Sequence, residues 1–289
     1  MHQIERTEGA LAAVALVDTE ASSRVELVPS RGGMVTRFTV GPREVLYLDR
    51  ATLEDPKANV RGGIPVLFPS PGKLAGDAWA RDGRSGSMKQ HGFARNVAWR
   101  TTATGTDDGA WATLVLEADD TTRARYRYEP RLAFTYRLRR STLMIEMDIA
   151  NAGTEAMPFG VGFHPYFFVP DADKASTRIP TKATRAFDNK GKRDVAFEGF
   201  DLTAEEVDLH LYDHGGASAE LVTPGGKVAL RGSPELDRWV VWTLRGKDFV
   251  CLEPWSCPGN ALNTGEGLLV LEPGASRSLQ LEIEATVGR

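Results

Sequence analysis

Cysteine is scarce in this chain: Cys251 and Cys257 are the two thiols among 289 residues. Six positions apart and flanking Glu253, they fit neither a C-x-x-C redox pair nor a multi-cysteine zinc pattern, so two reduced thiols packed near a site are expected, with a disulfide between them the unsupported alternative. Long apolar runs are lacking too. Residues 10–17 form an apolar stretch, but Glu5 and Glu8 precede it and Asp18 closes it. That stretch has neither the basic flank of a secretory signal nor the roughly 20 apolar residues of a membrane span. A cytoplasmic protein without a membrane partner is therefore expected. Nor is there an excess of basic charge: 35 Lys and Arg stand against 39 Asp and Glu, a net charge of -4, which gives no electrostatic footprint for nucleic acid. Finally, no long segment carries helical spacing.

What is present is period-two patterning. In residues 131–138 the bulky apolar side chains are Leu132, Phe134, Tyr136 and Leu138, and in residues 143–149 they are Leu143, Ile145, Met147 and Ile149, with Glu146 and Asp148 between. Such alternation is that of strands with one buried face. Residues 139–142 between the two runs have hairpin length. Similar signals occur at 25–28, 34–40, 111–116, 239–244 and 279–283, separated by Gly, Pro, Asn and Asp clusters such as residues 30–33, 105–109 and 223–226. Many short alternating strands predict an antiparallel sandwich. No shift in composition divides the chain, so residues 1–289 are expected to form one all-β domain. Two polar passages, 69–87 and 187–193, are long enough to border a binding cleft.

Three segments place titratable groups in constrained surroundings. The apolar run 249–252 ends in Glu253, followed at once by Pro254 and Trp255; a carboxylate so placed needs a partner or a raised pKa. It could equally be a strand-end ion pair with Arg61 or Arg95. His164 sits between Phe163 and Pro165, with Tyr166, Phe167 and Phe168 following. Proline biases it to an extended backbone, and desolvation among aromatics lowers the pKa of an imidazole. A core histidine bonded to backbone reads the same way. In an extended segment His91, Phe93 and Arg95 would share a face, although a loop histidine and a solvated arginine would also satisfy the string. His210 and His214 are four apart beside Asp208 and Asp213, but the alternation Val207, Leu209, Leu211 reads as strand rather than as a helical metal site. Trp255, Tyr166, Phe93 and Trp79 are candidates to stack on a ring, against the commoner role of core aromatics.

Taken in order, Arg61–Pro69 (R-G-G-I-P-V-L-F-P), His91–Arg95 (H-G-F-A-R), Phe163–Phe167 (F-H-P-Y-F), Glu253–Trp255 (E-P-W), Asn263–Gly267 (N-T-G-E-G) and Leu271–Gly274 (L-E-P-G) resemble the aldose 1-epimerase (galactose mutarotase-like) superfamily over roughly residues 20–285. The resemblance implies a large antiparallel β-supersandwich with a sugar cleft on its concave face. It implies a cofactor-independent, metal-free interconversion of the α and β anomers of a hexose. Glu253 takes the position of the general base and His164 that of the general acid. His91 takes that of a second, substrate-orienting histidine. Arg95, Arg61 and Asp208 match substrate-contacting positions, and Trp255, Tyr166 and Lys89 complete the expected substrate-binding set. The expected partner is a small-molecule sugar, with the chain a monomer or homodimer. Two alternatives accompany this reading. In one, Arg61, Lys89 and Arg95 clamp the phosphate of a hexose 6-phosphate; in the other, the sandwich is a carbohydrate-binding domain without turnover.

Overall fold

The structure, a computed structural model, describes residues 1–288. It is built from antiparallel sheets of five, seven and eight strands, with two short two-stranded ribbons beside them. The hairpin expected around residues 139–142 is present. Strands Pro130–Arg139 and Thr142–Asn151 pair along their whole length from Pro130↔Asn151 to Arg139↔Thr142, which shortens the turn to Arg140 and Ser141. Arg140 adopts φ +52° there, and its amide donates to the buried Asp18 carboxylate at 2.8 Å.

The alternating residues fall where period two puts them. Leu132, Phe134, Tyr136 and Leu138 face inward with Leu143, Ile145, Met147 and Ile149. The same cluster takes Val25 and Leu27 from the five-stranded sheet and Val241, Val250 and Leu252 from the eight-stranded sheet, so the large sheets enclose a common core. In the seven-stranded sheet the strand Ser276–Val287 lies inside, third from one edge, between Gly226–Gly232 and the central strand Thr142–Asn151.

Three short helices, Arg50–Glu54, Asp120–Tyr126 and Ala261–Thr264, interrupt the strands. At four to seven residues they are too short to leave a 3.6-residue pattern. Asp120–Tyr126 starts instead from a capping box between Asp119 and Thr122.

Passage 69–87 is more ordered than its composition suggests: it carries the ribbon Ala78–Arg81 with Arg84–Ser87. Trp79, expected as a stacking candidate, is buried on this ribbon. Its indole donates to Arg125 O at 2.9 Å and its ring stacks on Tyr128. Phe93 is likewise buried, edge-on to Phe68 at 6.0 Å. Both are core aromatics because a ribbon and a 3-10 turn fold them under the sheet instead of leaving them on its outer face.

Candidate active site

The strand Phe249–Trp255 is buried on both faces, which accounts for its unbroken apolar character. Val250 and Leu252 point into the common core. Alternation therefore turns Phe249, Cys251, Glu253 and Trp255 to the other side of the sheet. Register explains what meets them there. Gly162 pairs with Trp255, and Tyr166 pairs with Cys251 in the antiparallel sense, so His164 stands opposite Glu253. Its Nε2 lies 3.3 Å from Glu253 Oε1, and the Trp255 indole donates to Glu253 Oε2 at 3.1 Å. Neither Arg61 nor Arg95 forms an ion pair with Glu253; the carboxylate is held by an imidazole and an indole.

This pair sits in the wall of a cavity of about 820 Å³. The floor is the outer face of the eight-stranded sheet: Asp208 and His210 from Glu206–Leu211, Val240 and Trp242 from Arg238–Leu244, and Glu253 and Trp255. His210 pairs with Val240, which pairs with Glu253. With strands about 4.8 Å apart, the Asp208–His210 side lies about 10 Å from the Glu253–His164 side. The rim comes from both polar passages: Gly72, Lys73 and Leu74 from the first, Phe187, Asn189 and Lys192 from the second.

Burial governs the charges. Glu253 is pushed well above the usual carboxylate range by burial and by the charge of Asp208, against the opposing pull of the Trp255 indole and Arg95. His164 is pushed well below its usual value by burial and by neighbouring His91, Arg95 and Arg61. Both trends favour uncharged groups, so together the two hold one proton. His91 is lowered to about 3, chiefly by burial and then by Arg95. Its Nδ1 contacts the carbonyl of Pro71; a carbonyl only accepts, so Nδ1 carries the proton and Nε2 is an acceptor. Asp208 is raised by burial but lowered overall by hydrogen bonds from His210 and Asn189, the latter at 2.6 Å.

A cavity that opposes a buried carboxylate to a buried imidazole, with a second neutral histidine and a held aspartate around it, is suited to moving protons on a neutral polyhydroxyl compound. The sequence profile of the aldose 1-epimerase family matches residues 18–284. The chain belongs to the aldose 1-epimerase family. Among solved structures, this family member superposes on the Slr1438 protein of Synechocystis with TM-score 0.93 at 38% identity, over 99% of this chain and 100% of that one. It superposes on a galactose 1-epimerase of Lactobacillus acidophilus with TM-score 0.75 at 12% identity, over 100% and 99%. The latter likeness is one of fold. In sequence it is 28% identical over 174 residues to a Salmonella typhimurium protein provisionally named glucose-6-phosphate 1-epimerase, spanning 58% of this chain and 53% of that protein.

Within this aldose 1-epimerase fold, the cavity brings together eight of the nine expected site residues: Glu253, His164, His91, Arg95, Arg61, Asp208, Trp255 and Tyr166. Lys89 is the exception. Met88 N bonds to Asp77 O, which sets Lys89 beside the Asp77 carboxylate at 2.7 Å, exposed and outside the cavity; Lys73 lines the rim instead. Trp255 is wedged edge-on between His91 and His210 at 5.8 and 5.1 Å, so its clearest contact is its hydrogen bond to Glu253. Tyr166 stacks on His164 at 4.7 Å and 13°. Sequence reasoning missed Trp242, Asn189, Lys73 and Arg238, and treated His210 only as a metal candidate. For Trp242 and His210 the signal was available: each shares its alternation face with a residue already singled out or with the cavity side of the next strand. Lys73 and Asn189 lie in the two passages expected to border a cleft, though neither was singled out within them, and no signal marked Arg238.

Proposed function

We propose that this member of the family is an aldose 1-epimerase acting on a hexose, with Glu253 and His164 as the proton-transferring pair. The observation that carries the reading is His164 standing opposite Glu253 at 3.3 Å in the cavity wall. Transfer of the shared proton across that contact yields a carboxylate and an imidazolium. Glu253 takes the proton of the C1 hydroxyl while His164 gives its proton to the ring oxygen, and the C1–O5 bond breaks to leave the open aldehyde. Rotation about C1–C2 turns the other face of the carbonyl toward the ring hydroxyl. In reclosure His164 recovers that hydroxyl's proton and Glu253 returns one to the carbonyl oxygen, giving the other anomer with the pair restored. His91 Nε2, which meets the Gln90 side-chain amide at 3.2 Å, exchanges that contact for a sugar hydroxyl, and Asp208 with His210 receives hydroxyls at the far side.

A second reading, a hexose 6-phosphate as substrate, has a specific observation in its favour. Among the described residues Arg61 and Arg95 have no carboxylate partner within ion-pair distance although both line the cavity; Arg95 Nε is buried without a hydrogen-bond partner. Two unpaired guanidiniums at one end of a cavity suit an anionic group. The provisional name of the Salmonella relative points the same way.

Polarimetry of freshly dissolved α-D-glucose and α-D-galactose, paired with exchange NMR between the anomers of glucose 6-phosphate, separates these readings. Faster equilibration of the free sugars supports the first. Acceleration confined to the phosphate supports the second. Sugar binding without acceleration of any anomerisation would overturn both in favour of a binding domain.

A further inference from the structure

Cys251 takes no part in the proton transfers above, yet it is two residues from Glu253 on the same face of the same strand, directly opposite Tyr166. Its sulfur, a nitrogen of His164 and a carboxylate oxygen of Glu253 lie within 4.8 Å of one another, and all three side chains are buried. We propose that His164, Cys251 and Glu253 form a binding site for a thiophilic divalent cation such as Zn²⁺, whose occupation blocks sugar turnover.

The donor chemistry selects the ion. An imidazole nitrogen, a thiolate and one carboxylate oxygen are a mixed set that zinc accepts, whereas the sulfur disfavours Mg²⁺ and Ca²⁺, which prefer oxygen shells. The charges close: a divalent ion with one thiolate and one carboxylate is neutral, with the displaced protons passing to solvent, which suits a buried site beside Arg61 and Arg95. Contraction of the 4.8 Å spread is required for tetrahedral bonding, and with His164 stacked on Tyr166 it falls to the Cys251 and Glu253 side chains and to a turn of the imidazole within its own plane. Trp255 holds Glu253 by Oε2, leaving Oε1 toward His164. His164 Nδ1 is buried with no hydrogen-bond partner, so no second bond fixes the imidazole against a turn. Three protein ligands leave a fourth position open, and His164 and Glu253 both face the cavity, so water completes the shell. Because the ion occupies both proton-transferring groups, inhibition is competitive with sugar. The site itself does not depend on the epimerase reading.

Two measurements test it. Cobalt(II) titrated into the full-length protein is expected to give a thiolate-to-metal charge-transfer band with a stoichiometry of about one. That band is lost in Cys251→Ala and kept in Cys257→Ala; a band that survives Cys251→Ala, or none at all, overturns the site. Separately, Zn²⁺ is expected to inhibit anomer exchange reversibly, with chelator restoring the rate. In Cys251→Ala basal exchange persists and the inhibiting zinc concentration rises at least about tenfold, as expected for loss of a ligand. Equal inhibition of the wild type and Cys251→Ala would overturn the inhibitory role. Should Cys251→Ala fail to fold, the native protein and Cys257→Ala still decide, since the absence of a thiolate band in both excludes coordination by sulfur. Absence of exchange activity with an intact band would count against the epimerase reading and leave the metal site standing.

Discussion

At the scale of single residues, the fold places a carboxylate and an imidazole where neither is comfortable as an ion. For Glu253 the consequence for stability has a definite sign. Its folded pKa is raised above the ordinary 4.5, so the folded state binds its proton more tightly than the unfolded chain does. The stability that protonation gives is complete below pH 4.5 and is lost as pH rises toward the folded value. Glu253→Gln, neutral at every pH, is therefore expected to melt at or above the wild-type temperature at pH 8, with the advantage vanishing near pH 4. Calorimetry at the two pH values checks this. The same variant is expected to lose about 10²- to 10⁴-fold in kcat/KM while retaining sugar affinity; unchanged turnover would remove Glu253 from the reaction. Trp255→Phe deletes the bond to Oε2, which in the carboxylate form that takes the C1 proton is a bond to a charged group worth about 1.5–3 kcal/mol, so a loss of about 10- to 100-fold in kcat/KM is expected. The pH profile carries a further sign. A second proton must go onto His164, whose value is lowered, and removal of the last must come from Glu253, whose value is raised. The acid limb of kcat/KM is therefore expected to lie well below pH 6.5 and the basic limb well above pH 4.5. An acid limb falling near pH 6.5 would mean that His164 titrates as a solvated imidazole.

At the scale of elements, the turn carrying His91 is the most constrained part of the cavity. His91 and Gly92 both adopt left-handed backbone, φ +72° and +71°, and a Cβ on Gly92 would lie 2.1 Å from the carbonyl oxygen of Phe68. That carbonyl already accepts the amides of Phe93 and Ala94, so it cannot retreat cheaply. Gly92→Ala is expected to displace His91, raising KM by an order of magnitude or more, or to lower the melting temperature by several degrees; a variant with native KM and native melting would contradict the constraint. This turn also marks where the sequence ceased to be legible. The residues of the strands were readable because alternation is written into them: Leu132 to Leu138 and Leu143 to Ile149 announce both their conformation and their face. Glu253 and His164 were readable as candidates because a polar group among apolar neighbours is costly unless it is partnered, and the structure partners them with each other. What could not be read is anything set by a turn. Lys89 looked like a cleft residue beside His91, but the backbone bond between Met88 and Asp77 sends it outward, and Lys73 enters the rim through a passage whose ribbon has no hydrophobic pattern. Phe93 would have shared a face with His91 only in an extended strand, which the left-handed turn is not.

At the scale of the molecule, residues distant in sequence share one core, and its packing predicts a single cooperative unfolding transition in urea by fluorescence and by circular dichroism. Two separated transitions would show instead that the chain divides into independent domains. Ile283, fully buried in an interior strand of the seven-stranded sheet, is expected to cost about 2–5 kcal/mol when cut to Ala, moving that one transition without splitting it. The position of Ser276–Val287 matters during synthesis as well as at equilibrium. Its neighbours, Gly226–Gly232 and Thr142–Asn151, leave the ribosome well before it does, and until it arrives each presents an unpaired edge to solvent or to the next nascent chain. The sheet must therefore wait, open between those two neighbours, for the strand that closes it.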